Sequence, residues 1–591
     1  MSASENPSTT NSLPSTTDRY FFRASADDFK KIPGNPIAYW TSDQLRKAFK
    51  DNVRLEEIAP VKVGLQTGNN ERFVREWFEV SRLKISFYCK SSHDFSKKWF
   101  PYNKGGEYRK WYGNNENIVN WEKNGYEIKS FTDEKGKLRS RPQNCEYYFH
   151  ESITWSFVSS SYFGVRFSDT KAIFDVAGSS AFPSEEDRYF LTGLLCSNIS
   201  HGFMKAMNPT LNFQVGNVAL IPIILNQKYK FIDEHCKQLI AFHKIDWNSY
   251  ESSWDFIELT LLNSNFILST AQKTYQKLRS HWHSMTLEMK RLEEENNRIF
   301  IDAYGLQDEL TPDVPLQEIT LTCNPVYRYG AGKTDEEYES LLRRDTAKEL
   351  ISYAIGCMMG RYSLDKPGLV YANAGGEGFD PQNYMTFPAD ADGIVPLTGM
   401  AWFPDDTANR LEEFIATAWP REHLEENLAW IASSLGISGD SPREIIRSYL
   451  ADKFYKDHLQ TYKKRPIYWL FTSGKQQAFQ ALVYLHRYNP GTLSRMRTEY
   501  VIPLQSKFTA RIAHLEDDIA AATSTSARKK LEREKETIVK QQAELHHFEE
   551  KLRHLADQRI SLDLDDGVKV NYGKFDDLLA ETKSICKKEE E

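Results

Sequence analysis

Gly64-Leu65-Gln66-Thr67-Gly68-Asn69-Asn70-Glu71-Arg72-Phe73-Val74-Arg75 is the stretch around which the rest of the chain is read. Two glycines, four residues apart, bracket a short polar tip. The apolar run Ile58 to Val63, broken by Pro60 and Lys62, precedes it, and an aromatic-rich basic stretch follows. Glycine at both ends lets the backbone take positive φ and pass close to a bulky ligand. Thr67, Asn69 and Asn70 offer hydrogen-bonding groups. Arg72 and Arg75 offer forked donors that suit phosphates or guanine edges. If a helix starts near Asn70, the two arginines share one face of it, beside turn amides able to hold a phosphate. The same spacing also describes a plain glycine turn between two strands.

The 591 residues suffice for two to four domains, each with its own core. No stretch approaches eighteen uncharged apolar residues, which excludes a membrane-spanning helix. Met1 to Thr17 is rich in Ser, Thr, Asn and Pro and reads as a tail or linker rather than a signal peptide. Seven scattered cysteines without a Cys-x-x-Cys pair suit reduced cytoplasmic thiols rather than a zinc knuckle. The net charge of −7 conceals a local surplus: Gly64 to Arg141 holds 16 Lys/Arg against 10 Asp/Glu. A nucleic-acid footprint is a patch, not a mean.

Thr41 or Ser42 caps an expected helix through Lys50. From Val61 to Ile224 short β-like runs dominate: Ile85 to Tyr88, Ile153 to Val158, Phe163 to Phe167, Ala172 to Val176 and Val218 to Ile224. Polar joints such as Asp133-Glu134-Lys135-Gly136 separate them. Here Trp99, Phe100, Tyr102, Tyr108, Trp111 and Tyr112 lie among Lys97, Lys98, Lys104, Arg109 and Lys110. That interleaving serves a nucleic-acid backbone and its bases together, or simply builds a core. Glu185 to Phe203 reads as one helix. Residues 225–300 are strongly helical and end at Ala303-Tyr304-Gly305. Further helices are expected over Leu341 to Met359, Ala408 to Trp419, Leu424 to Leu435 and from Ser441-Pro442, with a strand over Arg465 to Phe471. Leu531, Ile538, Leu545 and Leu552, seven apart, follow the stripe Phe508, Ile512, Leu515 and Ile519 across a polar turn. They form an antiparallel coiled-coil hairpin.

Gly64-Leu65-Gln66-Thr67-Gly68-Asn69-Asn70 with Phe73 resembles the entry to the target-recognition domain of the adenine-specific DNA methyltransferases of BREX phage-defence systems. The resemblance continues in Phe29 to Gly34, Tyr39-Trp40, Asn120 to Gly125, Arg141-Pro142-Gln143-Asn144, Tyr147-Tyr148-Phe149, Ile153 to Ser156 and Phe174 to Gly178. It resumes in Arg465 to Trp469, Leu485 to Tyr488 and Asp565 to Tyr572, so it runs from about residue 29 to about 575. Such an enzyme needs a glycine-rich turn for S-adenosylmethionine and an (Asp/Asn/Ser)-Pro-Pro-aromatic turn for the flipped adenine. Phe174-Asp175-Val176-Ala177-Gly178 has Val where Pro is expected, and Asn324-Pro325-Val326-Tyr327 lacks the second proline. Neither reads as a working catalytic element. Ala374-Gly375-Gly376-Glu377-Gly378 lacks the Lys-Ser/Thr of a phosphate loop. His281, His283, His546, His547 and His554 have no metal-ligand companions.

The expected architecture is α+β. A tail or linker over residues 1–19 precedes a mixed β/α target-recognition domain over 20–224. A helical spacer over 225–315, a mixed α/β body over 316–505 and a coiled-coil hairpin with C-terminal extension over 506–591 follow. The resemblance implies the DNA-recognition and partner-binding portion of a BREX-type enzyme, in a reading frame that starts midway through the usual protein. The complete enzyme would use S-adenosylmethionine; no cofactor, metal or catalytic residue is expected in this chain alone. Expected partners are double-stranded DNA and a catalytic methyltransferase half or other BREX components, in the cytoplasm and without a membrane. DNA contacts are assigned to Gly64, Thr67, Gly68, Asn69, Arg72, Arg75, Lys97, Lys98, Arg109 and Lys110. Two alternatives are a stand-alone specificity subunit that recruits a separate methyltransferase, and a coiled-coil interaction protein.

Overall fold

The computed structural model describes residues 25–87, 97–159, 162–210, 212–224 and 232–587. The expected tail over 1–19, Tyr88 at the end of one expected strand, and the start of the helical spacer at 225–231 lie outside the described residues.

The fold is mixed α/β, with four small sheets among the described residues, set between helices. One four-stranded sheet has the order Val61–Lys62, Ser180–Ala181, Ser152–Trp155, Val165–Ser168 and is antiparallel throughout. The second has the order Val74–Glu76, Asn117–Asn120, Trp99–Asn103, Ile173–Phe174, its last pair being parallel. The chain passes from Val165–Ser168 in one sheet to Ile173–Phe174 in the other, so the two sheets are sewn together. Trp99–Asn103 is buried along its whole length, as befits an aromatic-rich strand covered on both faces. Expected strands prove shorter than their apolar runs. Ile85 makes only a single bridge to Trp99. The run from Val218 splits into a helical turn, Val215–Val218, and the two-residue strand Pro222–Ile223, which pairs with Val53–Arg54.

Ser42 caps Asp43–Asp51 as expected, its Oγ accepting from the Leu45 amide at 3.0 Å. The single helix expected over Glu185 to Phe203 is two, Arg188–Cys196 and Asn198–Met207. Extended backbone at Ser197 breaks it, and the Ser197 hydroxyl donates to the Leu194 carbonyl at 2.5 Å. Ile232–Asn248 leads through an irregular stretch to the 34-residue helix Ala271–Tyr304. Gly305, at φ 67°, ends that helix in the left-handed region.

The body carries Asp335–Met358, which begins nearly two turns ahead of the expected start at Leu341 because Thr334 and Glu337 form a capping box. Thr407–Ala418, Leu424–Ser434 and Pro442–Asp452 follow within one or two residues of expectation. Tyr468–Thr472 and Ile394–Pro396 flank the central strand Gln480–Tyr484 in an antiparallel sheet. Ile502–Ala521 and Thr525–Asp557 form the antiparallel hairpin, sealed by Leu515, Ile538, Leu545, Phe548 and Leu552. Arg511–Glu534 and Lys535–Glu516 bridge its outside at 2.5 and 2.6 Å.

One hydrophobic core runs from Ile32 to Ile585 and includes residues from every sheet. The boundaries read near residues 224, 315 and 505 therefore do not separate independent cores. A second, smaller core (Leu65, Phe73, Val74, Phe100, Tyr102, Val119, Trp121, Ile128, Tyr148, Ile173 and Phe174) lies directly beneath the opening glycine loop. No helix among the described residues is long and apolar enough to cross a membrane.

Candidate nucleic-acid interface

The loop is shaped by neighbouring backbone. A Cβ on Gly64 would stand 1.9 Å from the Phe174 carbonyl oxygen, and one on Gly68, at φ 77°, would stand 2.8 Å from Arg139 backbone. Both glycines therefore admit another segment of this chain, in place of the bulky ligand the sequence suggested. The Leu65 amide donates to Phe174 O at 2.8 Å and the Gln66 amide to Arg141 O at 3.1 Å, so these two amides are used in strand pairing rather than held open for a phosphate. Thr67 is buried, its hydroxyl donating to Asn70 Oδ1 at 2.6 Å. Asn69 caps the one-turn helix Asn70–Phe73, with Oδ1 accepting from the Arg72 amide at 2.9 Å.

That helix is too short for the expected pair of arginines on one face. Arg72 lies in it, whereas Arg75 belongs to the strand Val74–Glu76 and turns inward. Arg72 stays half exposed, its guanidinium on Glu127 Oε1 at 2.5 Å and 5.2 Å from the Phe131 ring centre. Arg75 is buried over Trp99 and donates to the carbonyls of Glu71, Val74 and Asp565 at 2.5, 2.7 and 3.0 Å. Burial lowers its pKa from the usual guanidinium value, while Glu79 nearby opposes the shift.

The other basic residues of the expected surface separate in the same way. Arg109 is buried, with its guanidinium 3.4 Å from Asp246 and 2.5 Å from Thr322 Oγ1. Lys110 is buried against Glu293 of the long helix, which also accepts from Trp111 Nε1 at 3.0 Å. These two cations join the β region to its helical support and are not on the surface where the sequence put them. Lys98 reaches Asp565 Oδ2 at 3.1 Å. Lys97 is exposed and donates to the Leu83 carbonyl at 2.6 Å.

Asp565 accepts from Lys84 Nζ at 2.8 Å, from Lys98 Nζ and from Trp99 Nε1 at 2.9 Å, and these three partners hold its carboxyl below the usual range despite burial. Val568 donates its amide to Glu79 Oε2 at 2.9 Å. A segment near the C-terminus thus straps the strands under the loop.

Sequence reasoning missed the exposed charge beside the loop. Phe131 to Arg141 forms a ribbon, with Thr132 bridging Leu138 and Arg141 paired with Gln66. Its turn is ordered by Asp133, whose Oδ1 accepts from the amides of Lys135 and Lys137 at 2.9 Å each, and by Gly136 at φ 78°. Lys135, Lys137, Arg139 and Arg141 are exposed, and among the described residues no ion pair engages them. The alternation Lys-x-Arg-x-Arg after a turn was the available signal.

The two imitations of catalytic motifs are committed to the fold. Asp175 is buried, accepts from the Tyr102 hydroxyl and takes the Ala177 amide at 2.7 Å. Asn324 is a buried cap: its amide donates to Leu316 O and Ile319 O, and its oxygen accepts from Val326 N. A cavity of about 570 Å³ lies elsewhere, between Trp247, Glu251, Arg328, Lys348 and His458. Its Arg328 pairs with Glu349 at 2.8 Å and its Lys348 with Asp457 at 3.0 Å.

No family model matches the chain. It is 43% identical over 574 residues to the adenine-specific methyltransferase BrxX of Escherichia coli O9:H4 (strain HS), covering 95% of this chain and 46% of that protein. It is 40% identical over 566 residues to the adenine-specific methyltransferase PglX of Lacticaseibacillus casei (strain Zhang), covering 94% of this chain and 45% of that protein. The chain spans just under half the length of these curated relatives. Over nearly all of its own length it is therefore homologous to BREX-type adenine-specific DNA methyltransferases.

Proposed function

We propose that this chain is the DNA-recognition and partner-binding portion of a BREX-type adenine methyltransferase. The complete enzyme would transfer methyl from S-adenosylmethionine to adenine in duplex DNA, and a catalytic half or other BREX components would be this chain's protein partners. The observation that carries the reading is homology over 95% of this chain to a protein of which it spans 46%. The unpaired basic edge beside the glycine loop supports it.

In this reading residues 20–224 hold the DNA-facing surface, and Asn69 and Arg72 are its contacts at the loop. Gly64, Thr67 and Gly68 shape the loop, and Arg75, Lys98, Arg109 and Lys110 support it from behind, with Lys97 exposed at its margin. Arg72 would exchange Glu127 for a phosphate or a guanine edge, a change open to a half-exposed pair.

Anisotropy of a fluorescent duplex titrated with the full chain at several salt concentrations tests the proposal. Affinity is expected to fall steeply with salt. Asn69→Ala with Arg72→Ala is expected to weaken binding about ten- to a hundredfold, as loss of one base-edge pair does, with little change in Tm. Binding that ignores salt, or a double variant with wild-type affinity throughout, would overturn the assignment.

A further inference from the structure

Across the ribbon Phe131–Arg141, exposed charge and regular geometry coincide. The segment after the turn is extended: Arg139 donates its amide to Phe131 O at 2.9 Å, and Arg141 exchanges both backbone bonds with Gln66. Side chains two apart on an extended segment share a face. Ser140 points inward, buried, with its hydroxyl on Ile128 O at 2.5 Å. Arg139 and Arg141, either side of it, point outward, and Lys137 continues the row. The Cα atoms that carry the three cations therefore stand about 6.7 Å apart, two residues of strand rise.

A row of like charges repels itself, and the fold opposes that repulsion without neutralising it. The Arg139 guanidinium lies 5.6 Å from the Phe131 ring centre, with Arg72 over the same ring. An aromatic face attracts a cation while leaving its charge available. Of the two carboxylates in the turn, Asp133 is spent on the turn amides, and Glu134 is exposed and in no ion pair among the described residues. On the hairpin several surface cations are instead paired, as in Arg511–Glu534 and Lys540–Glu536.

We infer that Lys137, Arg139 and Arg141 form a rail that follows consecutive phosphates of one nucleic-acid strand, setting the position of the duplex against the glycine loop without reading sequence. The inference rests on the DNA-binding reading above. Regular spacing and freedom from ion-pair partners fit a repeating anion, whereas base reading needs forked donors aimed singly at particular edges.

The test is the salt dependence of duplex binding by the full chain and by the triple variant Lys137→Ala, Arg139→Ala, Arg141→Ala. Each lost phosphate contact lowers the slope of log affinity against log salt by about 0.9, so the slope is expected to shrink by about 2.7. Target and random duplexes should weaken by the same factor, with Tm unchanged. A companion variant, Arg139→Lys with Arg141→Lys, should keep the wild-type slope, because a rail needs charge rather than a fork. An unchanged slope in the triple variant, or a loss confined to one duplex sequence, would overturn the rail while leaving the DNA reading intact. Absence of salt-dependent binding in the wild-type chain would overturn both.

Discussion

Replacing Asp565 by Ala probes the strap under the loop. The Asp565 side chain is 9% exposed and accepts from Lys84, Lys98 and Trp99. Lys84, 48% exposed, can turn to water, and Lys98, 27% exposed, can do so in part. Their share is therefore discounted to well under about 1 kcal/mol each. Trp99 is almost wholly buried, and its indole N–H would be left unsatisfied at a cost of about 1–3 kcal/mol. The expected loss is about 2–4 kcal/mol, read as a lower Tm and as faster amide exchange in residues 74–87, 97–103 and 563–572. The substitution Asp565→Asn retains one acceptor oxygen and should lose less. The wild-type carboxyl is held below its unfolded pKa, so its contribution is complete above that pKa and fades as pH falls through the lower folded value. At pH 7 the full difference should be present; in strong acid its ionic part should vanish, leaving the share of the Trp99 bond, which a protonated carboxyl still accepts. Equal stability of Asp565→Ala and wild type at pH 7, with unchanged exchange, would refute the strap.

Excision of 512–539, closed by a short glycine-serine linker between the facing helices, should leave Tm nearly unchanged, because the body holds the hairpin below this level through Glu544 and Glu549. Removal of the whole span from Ser506 should instead unfold the strands that Asp565 and Val568 brace, and gel filtration with circular dichroism would show it. Lys110→Ala strands Glu293, which is 2% exposed, and should cost about 3–5 kcal/mol; adding Glu293→Leu should restore part of that in denaturant titration. Glu251 is buried and its pKa is pushed up to about 6, so the wild type loses stability as pH rises from its unfolded pKa of about 4.5 to about 6. The stability of Glu251→Gln relative to wild type should grow by about 2 kcal/mol over that interval and then level off. Calorimetric titration of the chain with S-adenosylmethionine should show no micromolar site; one site per chain would return Asp175 and Asn324 to consideration.

Features set by near neighbours in sequence were readable. The Ser42 cap, the Gly305 stop, the Pro442 start and the heptads of the hairpin all act within one turn or one helix face. The site was less readable, because burial of a cation depends on a distant partner. Arg75, Arg109 and Lys110 find partners 490, 137 and 183 residues away. Only the Lys-x-Arg-x-Arg alternation after the turn distinguishes Lys137 and Arg139 locally, and these two have no such distant partner among the described residues. The break at Ser197 was hidden for a related reason: its side chain turns back on the preceding helix within an otherwise continuous apolar stripe.

The scattered anchorage of the β region constrains how that region can be exchanged. Grafting residues 20–224 from a relative that lacks Lys98, Arg109, Lys110 and Glu116 would orphan Asp565, Asp246, Glu293 and Lys463 at once. Each of these seams must be inherited together with its distant counterpart. The turn at 133–137 has no such obligations, since its bonds close within itself. Drift and insertion should therefore be tolerated at this tip, with wholesale exchange of the block penalised by the seams it would open.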